Sequence, residues 1–391
     1  MLPLSFLNNA MITKIYSDKI INKGRLFDGF LYYDGNVITK ISKEEHKADR
    51  SLDFSGLYVA PGFIDFHTHG GGGHPFLHTT ADDVIKGCQY HLAKGTTSIA
   101  PTISAADFSD MKCAVKCISD AISSNKFEGT ILGAHLEGPY LSKNQCGAQC
   151  PTFITPPAES DYESLIKEYG KHIVRWTYAP ESDTDGKFCR YLVSHGILPS
   201  AGHTDAVYDD MQKAFKNGCR LVTHLYSCTS TITRQGGFRS LGVIESAYLI
   251  DDIYCEIIAD GKHLPPELIK MIIKIKGYDK VIPVTDSLSL AGTKEKQGIM
   301  GGTEYIIEDG VCKLHDRSAF AGSIATADVL LRVLTKECEI PVEIAVKMMT
   351  ENPAKLLNIK KGSFKKGFDA DIVVFDDNIN IKKVIAMGKD V

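Results

Sequence analysis

Residues 62–73 read GFIDFHTHGGGG, so Asp65, His67 and His69 recur at a spacing of two where an apolar run ends. In an extended strand, residues i and i+2 project from one face, and two imidazoles there are placed to share a ligand. Four later segments carry groups of the same chemistry: Glu137 in AHLEGPYL, His203 in SAGHTD, His224 in VTHLY and Asp286 in PVTDS. Imidazole nitrogens and carboxylate oxygens suit zinc, iron or another divalent transition ion. Such an ion lowers the pKa of a water to about 7 and supplies hydroxide at neutral pH. Asp286 is then the carboxylate free to act as general base and afterwards as general acid. A single histidine at a strand end is more often a hydrogen-bonded structural group than a ligand. Four histidines and two acids at five strand ends favour the metal site. His74, His78, His91, His135, His172, His195 and His315 read as structural or solvent-facing.

The elements that must carry these groups are legible in the hydrophobic pattern. Short β-like segments fall at 62–67, 97–102, 130–137, 173–181, 197–203, 220–225, 253–260 and 281–286. Helical periodicity fills most gaps, as at 80–95, 206–218 and 265–277, with acids in the first turn and glycine after the last. Eight strands alternating with helices predict a (β/α)8 TIM-like barrel, in which C-terminal strand ends converge on one active face. A doubly wound α/β sheet also fits the alternation but gives no reason for eight strands. Residues 11–42 and the last thirty read as strands broken by Lys-Gly, Asp-Gly and Gly-Asn turns. The expected organisation is one small β-domain built from both ends, residues 1–59 and 361–391, around the barrel at 60–360.

The whole composition narrows the partners. The chain has 391 residues, 43% hydrophobic and 24% charged, with 44 Lys plus Arg against 48 Asp plus Glu. A net charge of −4 gives no electrostatic case for nucleic acid or an anionic membrane. The eleven cysteines are an odd number without a CxxC pair, which reads as reduced thiols rather than a disulfide framework. The opening MLPLSFLNNA has no basic region before its apolar residues, so the expected location is cytoplasmic.

The motif PGFIDFHTHG resembles the amidohydrolase signature. With GTTSIAPT, HLEGPYL, YAPE, GHTDA, THLY, IADGKHL, VTDSLSLAG and FAGS in that order, the chain resembles the N-acetylglucosamine-6-phosphate deacetylase family. The likeness runs over essentially everything after about residue 11, including MTENPAKLLNI and KGSFKKGFDADIVVFD near the end. It implies a barrel with a β-sandwich, and hydrolysis of the acetamide of an amino sugar phosphate. It also implies Glu137, His203 and His224 as the main metal ligands, with His67 and His69 permitting a second metal. One or two divalent ions are expected, zinc first, with iron, manganese or cobalt also accepted by such donors. No lysine stands at the Glu137 position, so no carbamylated-lysine bridge is expected. Asp286 matches the family's acid/base, His263 a substrate-binding histidine, and Arg234 an arginine that reaches the sugar phosphate from the neighbouring subunit of a homodimer.

Two departures bear on the substrate. Ser227, Cys228 and Thr229 follow His224 and Leu225-Tyr226 where the family has Asn-Ala-Met, and Ser227 takes the position of a phosphate-binding asparagine. In the Gly147-Ala148-Gln149 stretch, many members carry histidine at the Gln149 position, where it contacts substrate. A hydroxyl at Ser227 and an amide at Gln149 still donate hydrogen bonds. The alternatives are another N-acetylated hexosamine such as the galacto epimer, a cyclic-amide hydrolase or aminohydrolase of the same superfamily, or a barrel that binds without catalysis.

Overall fold

Eight parallel strands alternate with helices in the computed structural model, which describes residues 11–391. The strands are β1 (Phe63–Thr68), β2 (Thr96–Ser104), β3 (Ala134–Glu137), β4 (Ile173–Tyr178), β5 (Leu198–Ala201), β6 (Leu221–Val222), β7 (Tyr254–Ile258) and β8 (Val281–Val284). They pair in order from β1 to β8. Closure is by the main chain just past β8, where Asp286 N donates to His67 O at 2.9 Å. The strands are buried along nearly their whole length, as parallel strands covered on both faces must be. The (β/α)8 expectation holds.

The helices that follow the strands are α1 (Ala81–Leu92), α2 (Phe108–Ser124), α3 (Glu159–Tyr169), α4 (Lys187–Ser194), α5 (Tyr208–Lys216), α6 (Val243–Leu249), α7 (Pro266–Lys276) and α8 (Ala327–Arg332). Thr80 caps α1 by accepting from Asp83 N. The segments expected at 80–95, 206–218 and 265–277 are each a few residues shorter, because capping residues lie outside the helical ladder.

Several strands stop earlier than the pattern suggests. β5, β6 and β8 end two residues before His203, His224 and Asp286, which stand on the turns beyond. The reason is backbone conformation: these three have φ of +47°, +26° and +47°, a left-handed region incompatible with a strand. Between β8 and α8 lies an antiparallel sheet of four strands over 297–322, which the hydrophobic pattern did not suggest.

Both ends of the chain build a second sheet. Its order runs Lys389–Asp390, Ile381–Ala386, Ile372–Phe375, Tyr58–Pro61, Ile12–Asn22, Arg25–Asp34, Val37–Ser42, with Arg50–Asp53 also beside Ile12–Asn22. Ile15, Leu31, Val59, Ile372 and Val374 share its apolar core. Tyr58–Pro61 belongs to this sheet and runs through Gly62 straight into β1. Among the described residues no helix is long and apolar enough to cross a membrane. The stretch MLPLSFLNNA, read above for its lack of a basic region, lies outside the described residues.

Candidate metal centre and active site

The strand ends bring together the five expected donors and the expected acid/base, Asp286. Glu137 ends β3, and its Oε1 lies 3.0 Å from His224 Nε2, 3.2 Å from His203 Nε2 and 3.3 Å from His67 Nε2. Its other oxygen is 3.2 Å from His69 Nε2. Asp286 Oδ1 completes the group, 3.4 Å from His67 Nε2 and 3.2 Å from His69 Nε2. His203 and His224 face each other at 3.1 Å between their Nε2 atoms. All six side chains are buried or nearly so.

The outer nitrogen of each imidazole decides what the inner one can do. His203 Nδ1 donates to Gln145 O at 2.8 Å, and His224 Nδ1 donates to Ser227 O at 3.0 Å. His67 Nδ1 donates to Glu256 Oε1 at 2.7 Å. With Nδ1 protonated, each neutral ring presents a lone pair at Nε2. Lone pairs of His203 and His224 at 3.1 Å, both against a carboxylate oxygen, repel unless a positive charge lies among them. His67 Nε2 is buried with no hydrogen-bond partner among the described residues. The donor sets His67–Glu137–His224 and His67–His69–Asp286 each converge tightly enough to hold one ion. These residues fit a divalent metal by type, tautomer and spacing.

The charges around the cluster point the same way. Burial would lower His67, but Glu256, Glu137 and Asp286 outweigh it and push it up to about 10. Burial would raise Glu137, yet His67 and His203 hold it well below the usual carboxylate range. Asp286 is held down in the same way, by His67 and His69 against its burial. Three carboxylates around these rings call for positive charge at their centre, and a metal supplies it at pH 7 without a proton.

The remaining residues sort by what they touch. Gln149 Nε2 donates to Glu137 Oε2 at 2.7 Å while its Oε1 accepts from Ala105 N at 2.8 Å. The expected substrate contact therefore has a second occupation, because this amide holds a proposed ligand in place. Ala148 and Ser227 line the cavity, and the Ser227 carbonyl orients His224. His263 also lines it, with Nδ1 tied to Asp260 Oδ2 at 2.8 Å and its ring 5.0 Å from that of Phe320. Arg234 lies elsewhere: it is exposed on a hairpin, Thr233–Gln235 with Phe238–Ser240, and does not line the cavity of its own chain.

Asp65 shares the two-residue spacing but not the site. Its Oδ2 accepts from Thr285 Oγ1 at 2.6 Å, and burial raises it to about 6. A register shift between Asp65 and Thr68 breaks the alternation and lets His67 turn inward next to the buried Phe66. His135 lies edge-on to His67, 4.6 Å between ring centres, and bonds Thr102 and Thr177. Burial, then Arg175 and His67, keep it far below its usual pKa, which favours the neutral ring.

Two residues escaped sequence reasoning. Glu256 lies in β7 and Arg175 in β4, both fully buried and ion-paired. Burial opposes the charge of Glu256, but Arg175 and then His67 hold its pKa at about 2. Their signal was present: a lone charge inside YCEII and another inside IVRWTY must be paired if those strands are buried.

The cavity above the donors has a volume of about 250 Å³ and is walled by Tyr226, Cys228, Met300 and Phe320 beside the groups already named. A barrel carrying this donor set on the C-terminal ends of its strands defines the class: the chain belongs to the amidohydrolase family, matching it over residues 58–391. It is a hydrolase of carbon–nitrogen bonds. The N-acetylglucosamine-6-phosphate deacetylase of Haemophilus influenzae is 33% identical over 375 residues, covering 93% of this chain and 95% of that one. The N-acetylgalactosamine-6-phosphate deacetylase of a Shewanella species is 30% identical over 344 residues, covering 86% and 83%. The crystal structure of N-acetylglucosamine-6-phosphate deacetylase from Pasteurella multocida matches with a TM-score of 0.90 at 28% identity, over 97% of this chain and all of that one.

Proposed function

We propose that this chain hydrolyses the acetamide of N-acetylglucosamine 6-phosphate to glucosamine 6-phosphate and acetate. The observation that carries the reading is the inward-facing set of Nε2 lone pairs and carboxylate oxygens opening on a sugar-sized cavity. Glu137, His203 and His224 hold the first divalent ion, zinc in this reading, and His67 and His69 with Asp286 offer a second place. When bound, such an ion polarises an acyl oxygen and lowers the pKa of a water to about 7.

The chain's own residues do the rest. Asp286, ionised at neutral pH, takes a proton from water as its oxygen adds to the acyl carbon. It returns that proton to the sugar nitrogen as the carbon–nitrogen bond breaks, so the products are a carboxylate and an amine. His263, oriented by Asp260, offers its free ring nitrogen to sugar oxygens or the developing oxyanion. Gln149 keeps Glu137 from rotating away from the imidazoles. Arg234 belongs to the phosphate end of a site on a second copy, which makes the working unit a homodimer. The boundaries 1–59 plus 361–391 and 60–360 divide the chain into a bracing domain and the catalytic barrel. A cytoplasmic location accords with eleven cysteines, none in a disulfide among the described residues.

A second reading, the galacto epimer as substrate, is favoured by the Shewanella relative and by Ser227 and Gln149 at substrate-facing positions. Acetate release by metal-loaded protein separates the two. The expected result is fast turnover of N-acetylglucosamine 6-phosphate and slow turnover of the galacto epimer and the unphosphorylated sugar. Preference for the epimer moves the reading to it, and no acetate from any of the three ends the deacetylase reading.

A further inference from the structure

Glu256 is a fully buried carboxylate near the middle of β7, a position where an unpaired charge is costly. Its two oxygens serve different partners. Oε2 pairs with the Arg175 guanidinium. Arg175 is itself fixed by bonds to Ser200 Oγ at 3.1 Å and Thr223 Oγ1 at 2.9 Å, and by stacking 4.8 Å from the Phe66 ring. The other oxygen, Oε1, accepts two hydrogen bonds: from His67 Nδ1 at 2.7 Å and from the main-chain nitrogen of His224 at 3.0 Å. One oxygen thus joins a side chain from β1 to the turn after β6.

We propose that Glu256, held by Arg175, is a positioning residue that makes His67 a cation donor. It fixes the ring with its proton on Nδ1 and its lone pair on Nε2, and ties that ring to the His224 turn. His203, His224 and His69 have neutral partners on Nδ1, namely Gln145 O, Ser227 O and Ser104 Oγ. His67 alone among the four is paired with a carboxylate there, which raises its basicity as a ligand. Glu256 therefore acts most on the ion that depends on the His67 ring, and reaches the set of Glu137, His203 and His224 only through the His224 main-chain nitrogen.

This inference rests on the metal reading above, and the test separates the two. Protein stripped with chelator is titrated with Co²⁺, following heat and the visible absorption of the bound ion. Two variants are compared with the parent: Glu256→Gln, which leaves Arg175 unpaired, and the double variant Glu256→Gln with Arg175→Met, which removes both buried charges together. The expected result is two binding steps in the parent. In the double variant the weaker step loses about 10- to 100-fold in affinity, its absorption band changes, and the tighter step stays within a few-fold. No Co²⁺ uptake by the parent would sink the metal reading itself. Parent-like isotherms in a folded double variant would overturn the role of Glu256, as would equal weakening of both steps.

Discussion

At the scale of the residue, three of the six donors stand on left-handed backbone: His203, His224 and Asp286 have φ between +26° and +47°. Conformations of this kind in residues with a Cβ each cost on the order of 1–3 kcal/mol and persist where surrounding contacts enforce them. Here they turn each side chain back over the strand end toward the common centre. Asp286 has the further task of moving a proton. Asp286→Asn keeps the shape and removes that capacity, and kcat is expected to fall by about 10²–10⁴-fold while metal at Glu137, His203 and His224 is retained. Initial rates with metal content measured on the same sample check this, and an undiminished kcat would exclude Asp286 as the acid/base. The members of this cluster could be picked out from the chain, because imidazole and carboxylate chemistry belongs to the residue type. The work of Gln149 on Glu137 could not, since it depends on a contact between β3 and the loop after it.

At the scale of the element, α1 shows how a helix steadies the strand-end loops. His91, in its last turn, donates from Nε2 to Gly70 O at 2.9 Å, next to His69. A positive charge near a helix C-terminus gains about 0.3–1 kcal/mol, yet burial wins and lowers His91 to about 4. The unfolded chain takes up this proton near pH 6.5 and the folded chain only near pH 4. The stabilisation is therefore complete above pH 6.5 and is lost as the pH falls through 4, by about 3 kcal/mol in all. Urea unfolding of the parent and of His91→Gln at pH 7 and pH 4.5 isolates it, because the other titrations cancel in the difference. A parent whose stability falls no more than that of the variant would contradict it. The periodicity of α1 was plain in the chain, whereas the bulge in β1 was not. An uninterrupted two-residue spacing sends Asp65, His67 and His69 to one face, and the register shift beside Thr68 diverts Asp65 to Thr285.

At the scale of the whole molecule, both ends of the chain brace the strand that delivers His67. Ile372–Phe375 pairs antiparallel with Tyr58–Pro61, and Gly62 N donates to Asp371 O at 3.0 Å immediately before β1. Lys361 is buried between Asp369 and Asp371, 2.7 Å from each. The donor cluster closes the other end, and it ties β1, β3, β5, β6 and β8 to one another. Metal binding then stabilises the fold as a whole, by about 4 kcal/mol when free metal exceeds the dissociation constant a thousandfold. Chelation is expected to lower the melting temperature, with recovery on adding Zn²⁺. A melting temperature indifferent to proven loss of metal would show that the cluster is not needed to hold the barrel together.

Residue types, their order and the alternation of strand and helix are written in the covalent chain. Local chemistry and periodicity were therefore enough to reach a barrel with a candidate metal-binding face and to pick out the side chains that converge there. The early ends of β5, β6 and β8, the four-stranded insertion at 297–322, the exposed place of Arg234 and the buried pair of Glu256 and Arg175 were not written there. Each depends on which distant segments meet. Glu256 is 189 residues from the His67 ring it orients, and only closure of the barrel gives it a partner. A carboxylate in a strand has no role until the interior around it is assembled, because its charge is tolerable there only with Arg175 and His67 in reach.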